Sequence, residues 1–305
     1  MTESCKPVVI VGSATMDLVT RTPRIPSTGQ TLIGTAFETT PGGKGANQAV
    51  AAARLGYPVH IVAMVGDDVY GPAILDNLAR SGVSTDGITV VPGFSGLAPM
   101  FVADSGENSI VVVPGANGKM TPAAVDRHAD LICSAGMVLC QLEIPMPTVS
   151  HILAMCARAG VPVMLDPAPA ALLPDAVWNQ VAWFTPNETE AAFYFEGAQS
   201  PGEAAAHLLS RGLCAVALKR GAEGAYIATA AGISGWIAPF VVEAIDTVAA
   251  GDCFNGAFAV ALLEGLDPFA AASFANAAAA LCVTRKGAQA SMPSRSEVEA
   301  FLRFR

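Results

Sequence analysis

Charge is scarce in this chain of 305 residues. Only 14% are Asp, Glu, Lys or Arg, and 26 acidic against 17 basic residues give a formal net charge of −9. A chain so short of cations offers no broad basic surface, which argues against nucleic acid as a partner. Anionic ligands have to be met locally, by backbone N–H groups, a few basic residues or a metal. Paired cysteines are also missing. The seven cysteines (Cys5, Cys133, Cys140, Cys156, Cys214, Cys253 and Cys282) are odd in number and form no Cys-x-x-Cys. They read as small hydrophobes in a reducing compartment, and the expected location is the cytoplasm. The four histidines (His60, His128, His151, His207) show no metal-ligand spacing. No apolar run is long enough to span a membrane. Val8 to Val11 is cut short by Gly12, without a signal pattern, and the alanine-rich stretch 270–283 is broken by Ser273 and Asn276. That stretch reads as a buried helix.

What is present is an alternation of apolar β-branched runs and helical periods. Val8–Val11, Val59–Val65, Met137–Cys140, Val161–Leu165 and Ala215–Leu218 read as strands. Ala46–Leu55, Gly71–Arg80 and Val149–Arg158 read as helices, the first two ended by Gly56 and Gly82. Wholly apolar strands between helices predict a three-layer αβα domain around a mostly parallel sheet. With 52% hydrophobic residues, the chain is long enough to form this as one large domain. Two segments leave the rhythm: residues 18–40, rich in Thr, Pro and Gly, and residues 97–113, with extended runs Ala98–Val102 and Ser109–Val113 about a Ser-Gly-Glu-Asn turn. They predict a small β-sheet lid, with strands from about 14–41 and 97–113, over the carboxyl ends of the main strands, where open α/β sheets bind ligands.

Residues 246–256, Asp-Thr-Val-Ala-Ala-Gly-Asp-Cys-Phe-Asn-Gly, lead into an apolar-periodic helix whose first turn holds Asp252. A small-residue turn feeding a helix leaves N–H groups unpaired and suits phosphate. A carboxylate beside such an anion site fits a base that takes a hydroxyl proton while the N–H groups hold the phosphoryl group under attack. A merely capped helix accounts for the segment equally well on its own. Residues 41–48, Pro-Gly-Gly-Lys-Gly-Ala-Asn-Gln, are not a P-loop, because Lys44 is followed by Gly45 and no hydroxyl is available for Mg²⁺. Residues 11–17 lack Gly-x-Gly-x-x-Gly. What remains is a tight turn where Asp17, Lys44 and Asn47 can converge beside glycines on a small polyol.

Gly42–Gly56 and Asp246–Gly256 resemble the two signatures of the ribokinase-like (PfkB) carbohydrate kinases. The likeness runs over almost the whole chain, supported by Val65–Asp68, Pro114–Asn117, Gln141–Glu143, Thr185–Glu190 and Thr284–Gln289. It implies an ATP-dependent kinase for the primary hydroxyl of a pentose, D-ribose foremost, with Asp252 as general base and an anion hole from the amides of Ala249, Ala250 and Gly251. It places Asp17, Gly43, Lys44, Asn47 and Glu143 at the sugar. Asn187 and Glu190 would organise phosphate and Mg²⁺, the latter through water at Glu190. Lys219, Gly221, Gly224, Gly251 and Asn276 would meet ATP. An activating K⁺ would be held by Asp246, the carbonyls of Val248, Cys282 and Gly287, and Ser291. The resemblance also implies a homodimer paired through the lid. Thr15 stands where the family commonly carries Asn, which bears on how one sugar hydroxyl is held. Lys219 and Cys253 stand where a hydroxyl residue is frequent. A nucleoside or another sugar is the alternative substrate, and a non-catalytic sugar or nucleotide sensor is the alternative of another class.

Overall fold

A computed structural model of the chain describes residues 5–195 and 197–304. In chain order its strands are β1 (Val8–Val11), β2 (Thr15–Thr22), β3 (Ala36–Gly42), β4 (Val59–Gly66), β5 (Ser84–Val91), β6 (Gly96–Ala103), β7 (Asn108–Ile110), β8 (Met137–Cys140), β9 (Val163–Leu165), β10 (Trp183–Phe184), β11 (Ala215–Lys219), β12 (Ala225–Thr229) and β13 (Ser234–Ile237). The helices are α1 (Lys44–Arg54), α2 (Tyr70–Arg80), α3 (Pro122–Asp126), α4 (Ala129–Cys133), α5 (Met146–Ala159), α6 (Glu188–Tyr194), α7 (Pro201–Ser210), α8 (Ala250–Leu263), α9 (Pro268–Val283) and α10 (Arg295–Arg303).

Nine strands form one sheet in the order β13-β12-β11-β10-β9-β8-β1-β4-β5. It is parallel from β11 to β5, with β12 and β13 antiparallel at one edge. β1 lies inside it, with Val8 level with both Val59 and Met137. Successive side chains of a strand point to opposite faces, yet all four β1 residues are fully buried, so both faces are covered. The helices pack in two groups, α1 with α8, α9 and α10 through their neighbours, and α3 and α4 against α5. The alanine-rich segment is α9, and its small side chains let it lie close against α8.

A second sheet, in the order β3-β2-β6-β7, stands apart from the first. Its register sets Asp17 opposite Thr40 and Thr15 opposite Gly42. Val19, Ala98 and Met100 form a small apolar cluster of their own. Phe37 and Phe101, both level with Thr20, remain 64% and 41% exposed.

Three local departures from the sequence reading have simple causes. The strand expected from Val161 begins at Val163, because Pro162 has no N–H for a ladder and Val161 donates back to Cys156 at the end of α5. The run expected at Ser109–Val113 forms β7 only to Ile110, with Val113 returning as a single bridge to Leu97. The edge strands β5 and β13 carry polar and exposed positions, so no run of apolar residues marks them.

Candidate active site

Every parallel strand from β1 to β11 on the far side of the sheet delivers a polar residue at its carboxyl end. Ser13, Thr15 and Asp17 follow β1, Gln141 and Glu143 follow β8, Asp166 follows β9, Asn187 follows β10, and Lys219 closes β11. A cavity of 610 Å³ opens there, lined among others by Lys44, Asp166, Glu190, Lys219, Asp252 and Asn276.

Asp252 lies in the first turn of α8 and is 5% exposed. Asn47 Nδ2 donates to its Oδ2 at 2.9 Å, and Gln48 Nε2 to its Oδ1 at 3.1 Å. Burial pushes the carboxyl pKa up. Lys44 opposes that rise, Asp166 adds to it, and the two amides oppose it. A carboxylate raised in this way is a stronger proton acceptor than an exposed one. Just before it, Ala249 caps the helix with φ 60°, the only non-glycine residue with positive φ among those described. Cys253 makes the first bond back to Ala249, so the amides of Gly251 and Asp252 have no helical acceptor. The Ala250 amide reaches Thr247 O at 3.3 Å. The helix thus opens on N–H groups beside a carboxylate, and Lys219 Nζ lies 3.4 Å from where a Gly251 Cβ would be.

Opposite this turn, Asp17 is 9% exposed, and Thr15 Oγ1 donates to its Oδ1 at 3.1 Å. Burial, with Glu143 and Asp252 nearby, outweighs that bond and lifts its pKa to about 6. Its carboxylate packs on the Gly42 backbone so closely that a Cβ there would lie 2.3 Å from Oδ2. Gly43 adopts φ 89° with no room for a side chain beside the Thr15 amide. Glu143 Oε2 accepts from Lys44 N at 3.0 Å and from Ser13 Oγ, which fixes the turn before α1. Burial alone would lower the Lys44 pKa, but Asp252, Asp166, Glu143 and Glu190 together raise it, so the ammonium stays charged.

On the other flank, Asn187 and Glu190 form a capping box at the start of α6: Glu190 N donates to Asn187 Oδ1 and Asn187 N to Glu190 Oε2, each at 2.8 Å. A second bond runs from Asn187 Nδ2 to Glu190 Oε1 at 2.9 Å. Both line the cavity. Burial raises the Glu190 pKa, with Lys219 opposing. Gly224 adopts φ 95°, and a Cβ there would meet Ile237 O at 2.2 Å; Gly221, at φ 51°, faces open space. Asn276 is buried at the cavity wall, and its Nδ2 donates to Ala238 O at 3.1 Å. Asp246 accepts from Val248 N at 3.0 Å and from Gly287 N at 2.9 Å, so it draws the turn before α8 and the loop after α9 together. Ser291 Oγ sits 2.9 Å from Cys282 Sγ.

Four polar residues of this site were not singled out from the sequence. Asp166, 2% exposed, takes Lys219 Nζ at 3.0 Å and Gln48 Nε2 at 2.9 Å. Gln48 links it to Asp252 and accepts from Gln141 Nε2 at 2.6 Å. Gln289 donates to Asn47. The available signal was polar residues inside otherwise apolar runs, at the end of β9 and on the buried face of α1.

Residues 6–295 match the model of the pfkB family carbohydrate kinases. The chain belongs to that family and is a phosphotransferase acting on a sugar hydroxyl. It is similar to the ribokinase of Bacillus subtilis, at 45% identity over 97% of this chain and 99% of that protein. It is also similar to the deoxyribokinase of Salmonella typhi, at 36% identity over 97% and 98%. Among solved structures, that of Arabidopsis thaliana ribokinase complexed with ribose and ATP superposes with a TM-score of 0.89 at 34% identity, covering 99% of this chain and 100% of that one.

Proposed function

We propose that this chain transfers the γ-phosphoryl group of ATP to O5 of D-ribose. The observation that carries the reading is the buried Asp252, held by two amide donors at the open first turn of α8, in one cavity with Lys44, Lys219 and Glu190. Asp252 takes the proton of the sugar's primary hydroxyl. The amides at Ala249, Ala250 and Gly251 receive the phosphoryl oxygens, with Gly251 the freest of the three. Asp17, Gly43, Lys44, Asn47 and Glu143 hold the sugar, with Thr15 bracing Asp17. Asn187, Glu190, Lys219, Gly221, Gly224, Gly251 and Asn276 hold ATP. Phosphoryl transfer asks mainly for positioning and charge stabilisation, which this set supplies.

Mg²⁺ neutralises phosphate charge when bound. Glu190 and its neighbour Asp166 supply the hard oxygen donors it prefers, and both Glu190 oxygens already bond Asn187, which suits contact through water. For K⁺, the oxygens of Asp246, Val248, Cys282, Gly287 and Ser291 are an all-oxygen set, and the Asp246 bonds to Val248 and Gly287 support their convergence. The exposed Phe37 and Phe101 on the lid support pairing of two copies through that sheet, and seven unpaired cysteines support a cytoplasmic location. Among the described residues, no helix is long and apolar enough to cross a membrane.

The test is ADP release with ATP, Mg²⁺ and K⁺ against D-ribose, 2-deoxyribose, other sugars and nucleosides. D-ribose should lead in kcat/KM. A lead for 2-deoxyribose or a nucleoside would move the substrate and leave the kinase. No turnover with any acceptor would favour a sensor. Replacing K⁺ with a bulky organic cation should lower kcat, and light scattering should return a dimer.

A further inference from the structure

A head-to-tail run of side-chain amides ends on Asp252. Asn77 on α2 donates to Gln289 Oε1. Gln289 Nε2 donates to Asn47 Oδ1 at 3.1 Å and to the carbonyl of Gly42 at 3.4 Å. Asn47 Nδ2 donates to Asp252 Oδ2 at 2.9 Å. Gln289 and Asn47 are 5% and 6% exposed, so neither can exchange these bonds freely for water. Each amide receives at oxygen and gives at nitrogen, so every member's orientation is set by the one before it. Turning Asn47 over would set its Oδ1 against the Asp252 carboxylate and its NH₂ against the NH₂ of Gln289.

The run is firmly mounted at its middle. Arg54 on α1 donates to the carbonyls of Ala290 and Met292, the latter at 2.7 Å, and Gly287 N donates to Asp246. Gln289 also touches the lid. Gly42 is the last residue of β3, and its backbone carries the packed carboxylate of Asp17. One NH₂ group therefore holds both the end of a lid strand and the residue that donates to the base.

We propose that Gln289 is a positioning residue for phosphoryl transfer: it aims Asn47 at Asp252 and ties that aim to the end of lid strand β3. This rests on Asp252 being the base. Gln289→Met keeps the length of the side chain and removes its donors. Gln289→Glu keeps the shape and, when ionised, cannot donate to Asn47 or Gly42. In the full-length enzyme, with ATP, Mg²⁺ and the sugar it turns over best, each variant should lose about tenfold in kcat while KM for ATP stays within about twofold, as expected when a reacting group is mis-aimed. The Asn47→Ala/Gln289→Met double variant should be no slower than Asn47→Ala alone, because Gln289 acts through Asn47. A purely structural Gln289 would lower the melting temperature and leave kcat unchanged, and that result overturns the proposal. So does full additivity with Asn47→Ala. If Gln289→Met fails to fold, Gln289→Glu decides. The control is Asp252→Asn: retained turnover there removes the base assignment, whereas a dead Asp252→Asn beside wild-type Gln289 variants removes only this inference.

Discussion

The two flanks of the site are built by different means. On the flank proposed for the sugar, Asp17, Asn47 and Asp252 are buried, and the last two are held by side chains far away in sequence: Asn47 by Gln289, and Asp252 by Asn47 and Gln48. On the flank proposed for the nucleotide, Asn187 and Gly221 are exposed, and the geometry at these two comes from neighbours along the chain, a capping box over residues 187–190 and a glycine turn. A long-range buried network fixes atoms tightly but fails together. A local motif is looser, and its failures stay local. The reacting hydroxyl needs the first kind of support. A large ligand held over many contacts can be served by the second.

The most severe way to break this contrast is Asp252→Asn. We expect kcat to fall by about 10²-fold or more, the contribution of a positioned base, with sugar binding by calorimetry largely retained. Gly42→Ala is next. Its Cβ would displace the Asp17 carboxylate, so KM for the sugar should rise about tenfold or more, while KM for ATP is unchanged. An equal rise in both constants would mean that the flanks are not independent.

Titration sharpens the comparison. With its pKa at about 6, Asp17 is protonated in the free protein below that pH, so KM for the sugar should climb as pH falls through 6, while KM for ATP should not follow through this group. The stability sign is the opposite. A carboxyl whose folded pKa is raised stabilises the fold at low pH and loses that contribution as pH rises through about 6. Asp17→Asn should therefore abolish the pH dependence of sugar KM and stabilise the apoprotein at pH 7 by on the order of 2 kcal/mol, read from denaturant melts. The smallest expected effect is on the other flank. Asn187→Ala removes one cap, costing about 1 kcal/mol, and KM for ATP should rise only a few-fold, with sugar KM untouched.

The same division decided what could be read from the amino-acid sequence. β1, β8 and the helices α1, α2 and α5 were legible because apolar residues recur at strand or helix spacing. Asn187 with Glu190, the Gly42–Gly45 turn and the Ala249–Asp252 turn were legible because their chemistry is written in adjacent residues. Gln48, Gln141, Asp166 and Gln289 were not. Each is a lone polar residue whose meaning depends on a partner 93 to 242 positions away, and no local pattern announces such a pairing. Asn276 shows the intermediate case. As a polar residue amid alanines it stood out in the sequence as a residue to meet ATP, and within the chain its Nδ2 is bonded to the Ala238 carbonyl.

Ala249 carries a consequence for anyone altering this protein for durability. A residue with a methyl group at φ 60° sits in a conformation that costs about 1 kcal/mol, and glycine would sit there without that cost. By the usual rules of stabilisation the position invites Ala249→Gly. Glycine would also free the backbone in the unfolded chain and loosen the turn that presents the Gly251 amide. The small methyl group therefore works as a stiffener: relaxing it removes a local strain that the freer unfolded chain offsets, and leaves the proposed anion-binding turn less rigid.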